Sequence, residues 1–183
     1  GNLGITSSNT PVKVGNLDAD FNLGWTNHFT YKGIDLGVVL SARVGGLAYS
    51  ATQGILDYYG VSETSATARD NGGIPINKGK VNAQKYYQTI GTGEGGYGRY
   101  YLYSATNVRL QELSLNYTLP KRWFKNVANV TLGIVGRNLW MIYCKAPFDP
   151  ELSASTSSNY YMNVDYFMQP SLRNFGFNVK VQF

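Results

Sequence analysis

The sequence predicts an all-β fold, an antiparallel up-and-down meander that forms part of a transmembrane β-barrel. Three observations predict it. Strict alternation of apolar and polar residues recurs in runs of about ten residues, the period of a strand with one greasy and one polar face. Long and short connections between these runs take turns along the chain. The composition sets 15 Tyr and 21 Gly against only 15% charged residues in 183, which suits twisted sheets with aromatic girdles and polar, glycine-rich loops.

The first strand is expected near residues 20–31, where Phe21, Leu23, Trp25, Phe29 and Tyr31 alternate with Asn22, Gly24, Thr26, His28 and Thr30. After the short turn at Lys32 and Gly33 the parity restarts near 34–44, with Ile34, Leu36, Val38, Leu40 and Ala42 on one face. Together they read as a long hairpin. A third strand near 106–119 carries Leu113, Leu115, Tyr117 and Leu119; Val108 and Leu110 have the opposite parity, so a bulge is expected near Gln111 and Glu112. Pro120 stops it. The fourth, near 129–143, begins Val130, Leu132, Ile134 and changes parity before Leu139 to Tyr143. The fifth, near 172–183, holds Phe175, Phe177, Val179, Val181 and Phe183 on one parity, with Asn174, Gly176, Asn178, Lys180 and Gln182 on the other.

The long connections, residues 1–18, 45–105 and 145–171, then leave one rim and the short turns leave the other. In outer-membrane barrels long loops are extracellular and short turns periplasmic, so those three segments are expected outside. A soluble sandwich also alternates. Length and polar chemistry separate the two. The last run has eleven residues, which at ~3.3 Å each and a ~40° tilt climbs roughly 28 Å, against an apolar band of about 25 Å. The polar faces carry Asn, Gly, Thr, Ser and Gln rather than Lys and Glu, as expected of a packed lumen. Trp123 and Phe124 beside Lys121, Arg122 and Lys125 fit an aromatic anchor with snorkelling cations.

Other classes find little support. A formal charge of +5 without Lys/Arg clusters argues against nucleic acid. The single Cys144 forms no internal disulfide. No run reaches the ~18 consecutive apolar residues of a membrane helix, and Gly1 does not begin a signal peptide. Residues 93–98 fit GxGxxG, but a phosphate loop needs a strand before it and a helix after, and strand-like RYYLYS follows. His28 has no ligand partner at metal spacing. Asp149 and Glu151 flank Pro150; a proline-locked turn, with Arg or backbone partners, is favoured over an acid–base pair or a Ca²⁺ site. Asp57, Glu63 and Asp70 form no usable pattern. Neither an enzyme, a cofactor nor a metal is expected. The candidate contacts for substrate or a lid are loop tyrosines, Tyr58, Tyr59, Tyr86, Tyr87, Tyr97, Tyr100, Tyr160 and Tyr161, whose rings stack on sugars or peptides.

Five strands cannot close a membrane barrel, whose smallest examples have about eight, so a longer chain or partner chains are expected. FNLGWTNHFTYKGIDLGVVLSARVGG, VRLQELSLNYTLPKRW, VTLGIVGRNLW, the FDPE of residues 148–151 and the closing QPSLRNFGFNVKVQF resemble, in order and spacing, the carboxy-terminal end of the SusC/RagA family of TonB-dependent outer-membrane transporters from Bacteroidetes. The resemblance implies the last five strands of a 22-stranded barrel. It implies as partners the remaining barrel and plug, a SusD-like lipoprotein lid, TonB through an amino-terminal part, outer-membrane lipids and the barrel-assembly machinery, which would read the strand ending in Phe183. The imported substrate would be an oligosaccharide or a peptide. Two alternatives stay open: a soluble all-β carbohydrate-binding module with Tyr-rich ligand loops, and a complete small barrel with strands hidden in 45–105.

Overall fold

The computed structural model describes residues 10–91, 97–125, 127–152 and 162–182. The chain forms two compact units. In chain order its strands are β1 (Phe21–Tyr31), β2 (Ile34–Val44), β3 (Leu47–Ser50), β4 (Ile74–Ile76), β5 (Gly79–Val81), β6 (Leu102–Ser104), β7 (Asn107–Thr118), β8 (Asn129–Cys144), β9 (Val164–Asp165) and β10 (Asn174–Gln182). The helices are α1 (Ala51–Tyr58), α2 (Glu63–Asp70) and α3 (Ala83–Ile90), with single 3₁₀ turns at Tyr97–Tyr101 and Lys121–Phe124.

The sheet unit comprises Ala19–Gly45, Ala105–Asp149 and Pro170–Phe183. It is one antiparallel sheet in the order β1-β2-β7-β8-β10. β1 and β2 close through Lys32 and Gly33, both at positive φ, 46° and 85°, as a two-residue type I′ turn requires. Gly33 also has to be glycine because a Cβ there would meet the Thr118 carbonyl oxygen at 2.9 Å. Pairing fixes which residues share a face. Phe29, Leu36, Leu115, Ile134 and Phe177 form one cross-strand row, and Tyr31, Ile34, Tyr117, Leu132 and Val179 the next.

The bulge expected near Gln111 is present. Leu40 pairs with Leu110 and Val39 with Glu112, which leaves Gln111 extra. Across the other edge of β7, Glu112 pairs with Arg137 and Leu110 with Trp140, so Asn138 and Leu139 together face Gln111. Asn138 takes φ 58°, the left-handed bend that asparagine tolerates better than most residues. Paired bulges reset the parity on both strands, which is why Val108 and Leu110 return to the face of Leu113 despite their sequence offset. Among the described residues the apolar face of this sheet is uncovered, whereas the polar face is closed over at Asn107 and Arg109. Leu23, Trp25 and Phe29 are 59%, 48% and 53% exposed, and every described residue of β10 is exposed.

The helical unit comprises Gly1–Asp18, Gly46–Ser104 and Pro150–Gln169. The long connection expected over 45–105 contains helices that the all-β reading did not include. Three helices occupy most of 51–90. Each begins at a side-chain cap: Ser50 Oγ accepts from the Gln53 amide, Ser62 Oγ from Ser65, and Asn82 Oδ1 from Lys85. Such caps satisfy amides that a helix start leaves orphaned. Two small sheets complete the unit, β6-β3-β9, in which β3 and β9 run parallel, and the hairpin β4-β5.

Candidate functional site

The structure brings three of the sequence-selected tyrosines together. Tyr58 ends α1, Tyr59 follows as its C-cap, and Tyr87 projects from α3. With Asp57, Gly60, Ser65, Arg69, Ala83, Gln84 and Gln88 they line a cleft of about 420 Å³ inside the helical unit. Gln84, Tyr87 and Gln88 stand at i, i+3 and i+4 on α3, so they share a face. Two rings are pinned. Tyr58 and Tyr59 meet edge to face at 5.1 Å between centroids, and Tyr86 packs the same way against Tyr87 at 5.2 Å, the geometry that ring quadrupoles favour. The Tyr87 hydroxyl donates to the Thr64 carbonyl oxygen at 3.5 Å.

Tyr86 is not among the residues that line the cleft, and Tyr100 lies exposed in the 3₁₀ turn Tyr97–Tyr101. Tyr160 and Tyr161 lie outside the described residues. On β10, Phe175, Phe177, Val179 and Val181 are 79%, 70%, 54% and 47% exposed; Phe183 lies outside the described residues.

Asp57, which the sequence left without a pattern, is the hub of the cleft. Its carboxylate is only 5% exposed. It accepts from Gln53 Nε2 and Thr64 Oγ1, both at 2.9 Å, and from Ser62 Oγ. Ser62 Oγ also caps α2 through Ser65. One buried charge thus ties the end of α1 to the start of α2, and three donors offset its desolvation. Gly60, at φ 70°, turns the chain between these helices, and Arg69 Nη1 donates to its carbonyl at 2.6 Å. The signal was the serine and threonine cluster at 62–65, legible only with helix caps in mind.

Burial, and secondarily the Asp57 charge, push the Tyr87, Tyr101 and Tyr103 phenols up; for Tyr86 burial also leads, with the neighbouring tyrosines next. Tyr101 is raised furthest. It is 2% exposed, and its hydroxyl lies beside the Asp57 carboxylate. An unfolded phenol ionises near ~10, below the folded value, so the neutral ring contributes stability that is complete below pH ~10 and declines above it. Tyr101→Phe is therefore expected to blunt the alkaline loss, and at neutral pH to cost no more than about 1 kcal/mol, the net worth of one hydroxyl contact. Amide exchange of α1 and α3 in both variants across that pH range checks it.

In the sheet unit a second buried cluster surrounds Arg109. Its guanidinium reaches Asp149 Oδ1 and Asn138 Oδ1 at 2.6 Å and Ser171 Oγ at 3.0 Å, and Ser171 Oγ donates to Asp149 Oδ2. The two charged side chains are 5% and 7% exposed. Asp149 thus stands in a proline-bounded turn with an arginine partner. Among the described residues no group of three or more His, Cys, Asp or Glu is arranged to hold a metal.

No family model matches the chain. It does align over its full length, at 25% identity across 189 residues, with TonB-dependent receptor P3 of Formosa agariphila. The chain thus resembles a segment of a TonB-dependent receptor. It spans 18% of that relative's length. Its fold matches the RagAB peptide importer in an open-open state with TM-score 0.65 and 18% identity, covering 92% of the segment and 18% of that chain. In the closed-closed state the TM-score is 0.62, again at 18% identity, over 92% of the segment and 17% of that chain.

Proposed function

We propose that the segment is the carboxy-terminal wall of a plugged barrel of about 22 strands, in an outer-membrane importer that takes up oligosaccharides or peptides beneath a SusD-like lipoprotein lid and draws energy through TonB. One observation carries this reading. The five-stranded sheet presents an apolar face and a polar face, and among the described residues the apolar one is open. In water, so large an uncovered apolar face would aggregate; against lipid it is at rest. Phe21, Trp25, Trp140 and Tyr143 stand towards one end of that face, Tyr31 and Tyr117 towards the other. From Phe21 to Tyr31 the strand runs ~33 Å, or ~25 Å at a 40° tilt, so the rings fit two interfacial girdles.

The polar face suits a lumen filled by a plug. Gly37 and Gly133 keep it low where neighbours lean across: a Cβ at Gly37 would sit 3.1 Å from the His28 ring, and one at Gly133 would sit 2.6 Å from the Asn178 amide. The sheet edges, β1 and β10, have unpaired backbone groups that the remaining barrel would satisfy, since lipid supplies no hydrogen bonds. The chain expressed alone is expected to require detergent to stay in solution. A cooperatively folding, monomeric and detergent-free chain, seen by sedimentation and thermal unfolding, would reject the proposal in favour of the soluble carbohydrate-binding module.

A further inference from the structure

We infer that the cleft between α1, α2 and α3 is a subsite for a neutral sugar ring of the imported substrate. This rests on the importer reading and narrows it, from oligosaccharide or peptide to oligosaccharide. Four observations lead there. The wall is aromatic and half-buried: Tyr58 and Tyr87 expose part of a ring while their neighbours hold the ring orientation. A tyrosine face accepts the C–H face of a pyranose and gives up little entropy in doing so. The rim is amide-rich. Gln84 and Gln88 are exposed, and each amide offers donors and an acceptor side by side, which matches the paired hydroxyls of a sugar.

The charges balance. The lining includes one cation, Arg69, and one carboxylate, Asp57, whose Oδ1 already accepts from Gln53, Ser62 and Thr64. A uronate or sulfate would meet both signs; an uncharged ring meets directional hydrogen bonds and no net field. The backbone is committed. The lining residues lie in helices and the turn at Gly60, so no strand edge is offered to which an extended peptide could pair. The volume, about 420 Å³, lies in the ~300–1,000 Å³ range of small-ligand sites.

The test uses the full-length receptor in detergent. Titration calorimetry is run with a panel of neutral hexaoses, α-1,4-, β-1,4- and β-1,3-linked glucose and β-1,4-linked mannose and xylose, and with a random hexapeptide pool. At least one hexaose is expected to bind, and the double variant Gln84→Ala with Gln88→Ala to bind it about tenfold more weakly, the loss of one or two neutral hydrogen bonds. Tyr59→Ala, an exposed change, is expected to weaken it as well while heat-modifiable migration on gels stays normal. Binding of the peptide pool that these variants weaken, hexaose binding that they leave unchanged, or no hexaose bound at all would overturn the subsite. The outcomes separate the two readings: a receptor that sits in the outer membrane and takes only peptide keeps the importer and loses the sugar subsite, whereas hexaose binding by a protein absent from that membrane does the reverse.

Discussion

Replacing Asp149 by alanine is expected to cost the sheet unit about 3–5 kcal/mol, because it removes one partner of a buried ion pair and strands the other. Arg109 is held by Asp149, Asn138 and Ser171 with its side chain 5% exposed. Without the carboxylate the guanidinium keeps the neutral Asn138 and Ser171 acceptors, in surroundings too dry to screen it. Asp149→Asn is expected to cost less, since an amide oxygen still accepts. The double change Arg109→Met with Asp149→Leu is expected to recover most of the loss, because neither charge then has to be desolvated.

The same sheet contains its own control. Arg137 pairs with Glu112 at 2.8 Å, but the arginine side chain is 66% exposed. Glu112→Ala is accordingly expected to cost under about 1 kcal/mol. The location of the Arg109 cluster gives the loss a recognisable signature. Asp149 and Ser171 lie where the chain leaves and re-enters the sheet unit, so amide exchange in 137–149 should accelerate before the hairpin of β1 and β2 does. Comparable denaturant midpoints for Asp149→Ala and Glu112→Ala in the detergent-solubilised full-length protein would show that the pair is not a buried one.

What the sequence reveals depends on which period is sought. Alternation locates β1 and β2 because each face has one neighbour type along eleven residues, and a period of two needs only four or five repeats to stand out. The parity jump at Leu110 to Glu112 reads directly as a bulge, since nothing else moves a strand's side chains to the other face and back. The α helices are harder to read. Each has eight residues, about two turns, too short for a 3.6 period to rise above noise; their caps at Ser50, Ser62 and Asn82 are the better signal. Arg109 is harder still. It sits on the polar parity of β7 like any lumen residue, and its partners are 29, 40 and 62 residues away. Only the FDPE resemblance pointed at one end of that contact, and no local pattern points at the other.

Two adjacent residues of β10 decide what the sheet faces. Phe177 and Asn178 are both exposed and lie on opposite faces, beside Ile134 and Gly133 of β8. If both faces met water, arginine at either position would cost a few tenths of a kcal/mol, as surface changes do. If the apolar face meets hydrocarbon, Phe177→Arg is expected to cost about 2–4 kcal/mol, while Asn178→Arg, on the lumen side, costs far less. Depth sharpens the contrast, because the penalty falls to about 0–1 kcal/mol near an interface. Val181 lies nearer the β7–β8 turn than Phe177, pairing with Val130 where Phe177 pairs with Ile134. Val181→Arg is therefore expected to fall between the two, with its guanidinium able to snorkel to the headgroups. The measurement is denaturant-dependent folding of the full-length protein into lipid vesicles, read by heat-modifiable migration. A ranking of Phe177 above Val181 above Asn178 is what a bilayer imposes; equal midpoints for Phe177→Arg and Asn178→Arg mean that both faces see the same solvent, and the membrane wall is lost with the importer built on it.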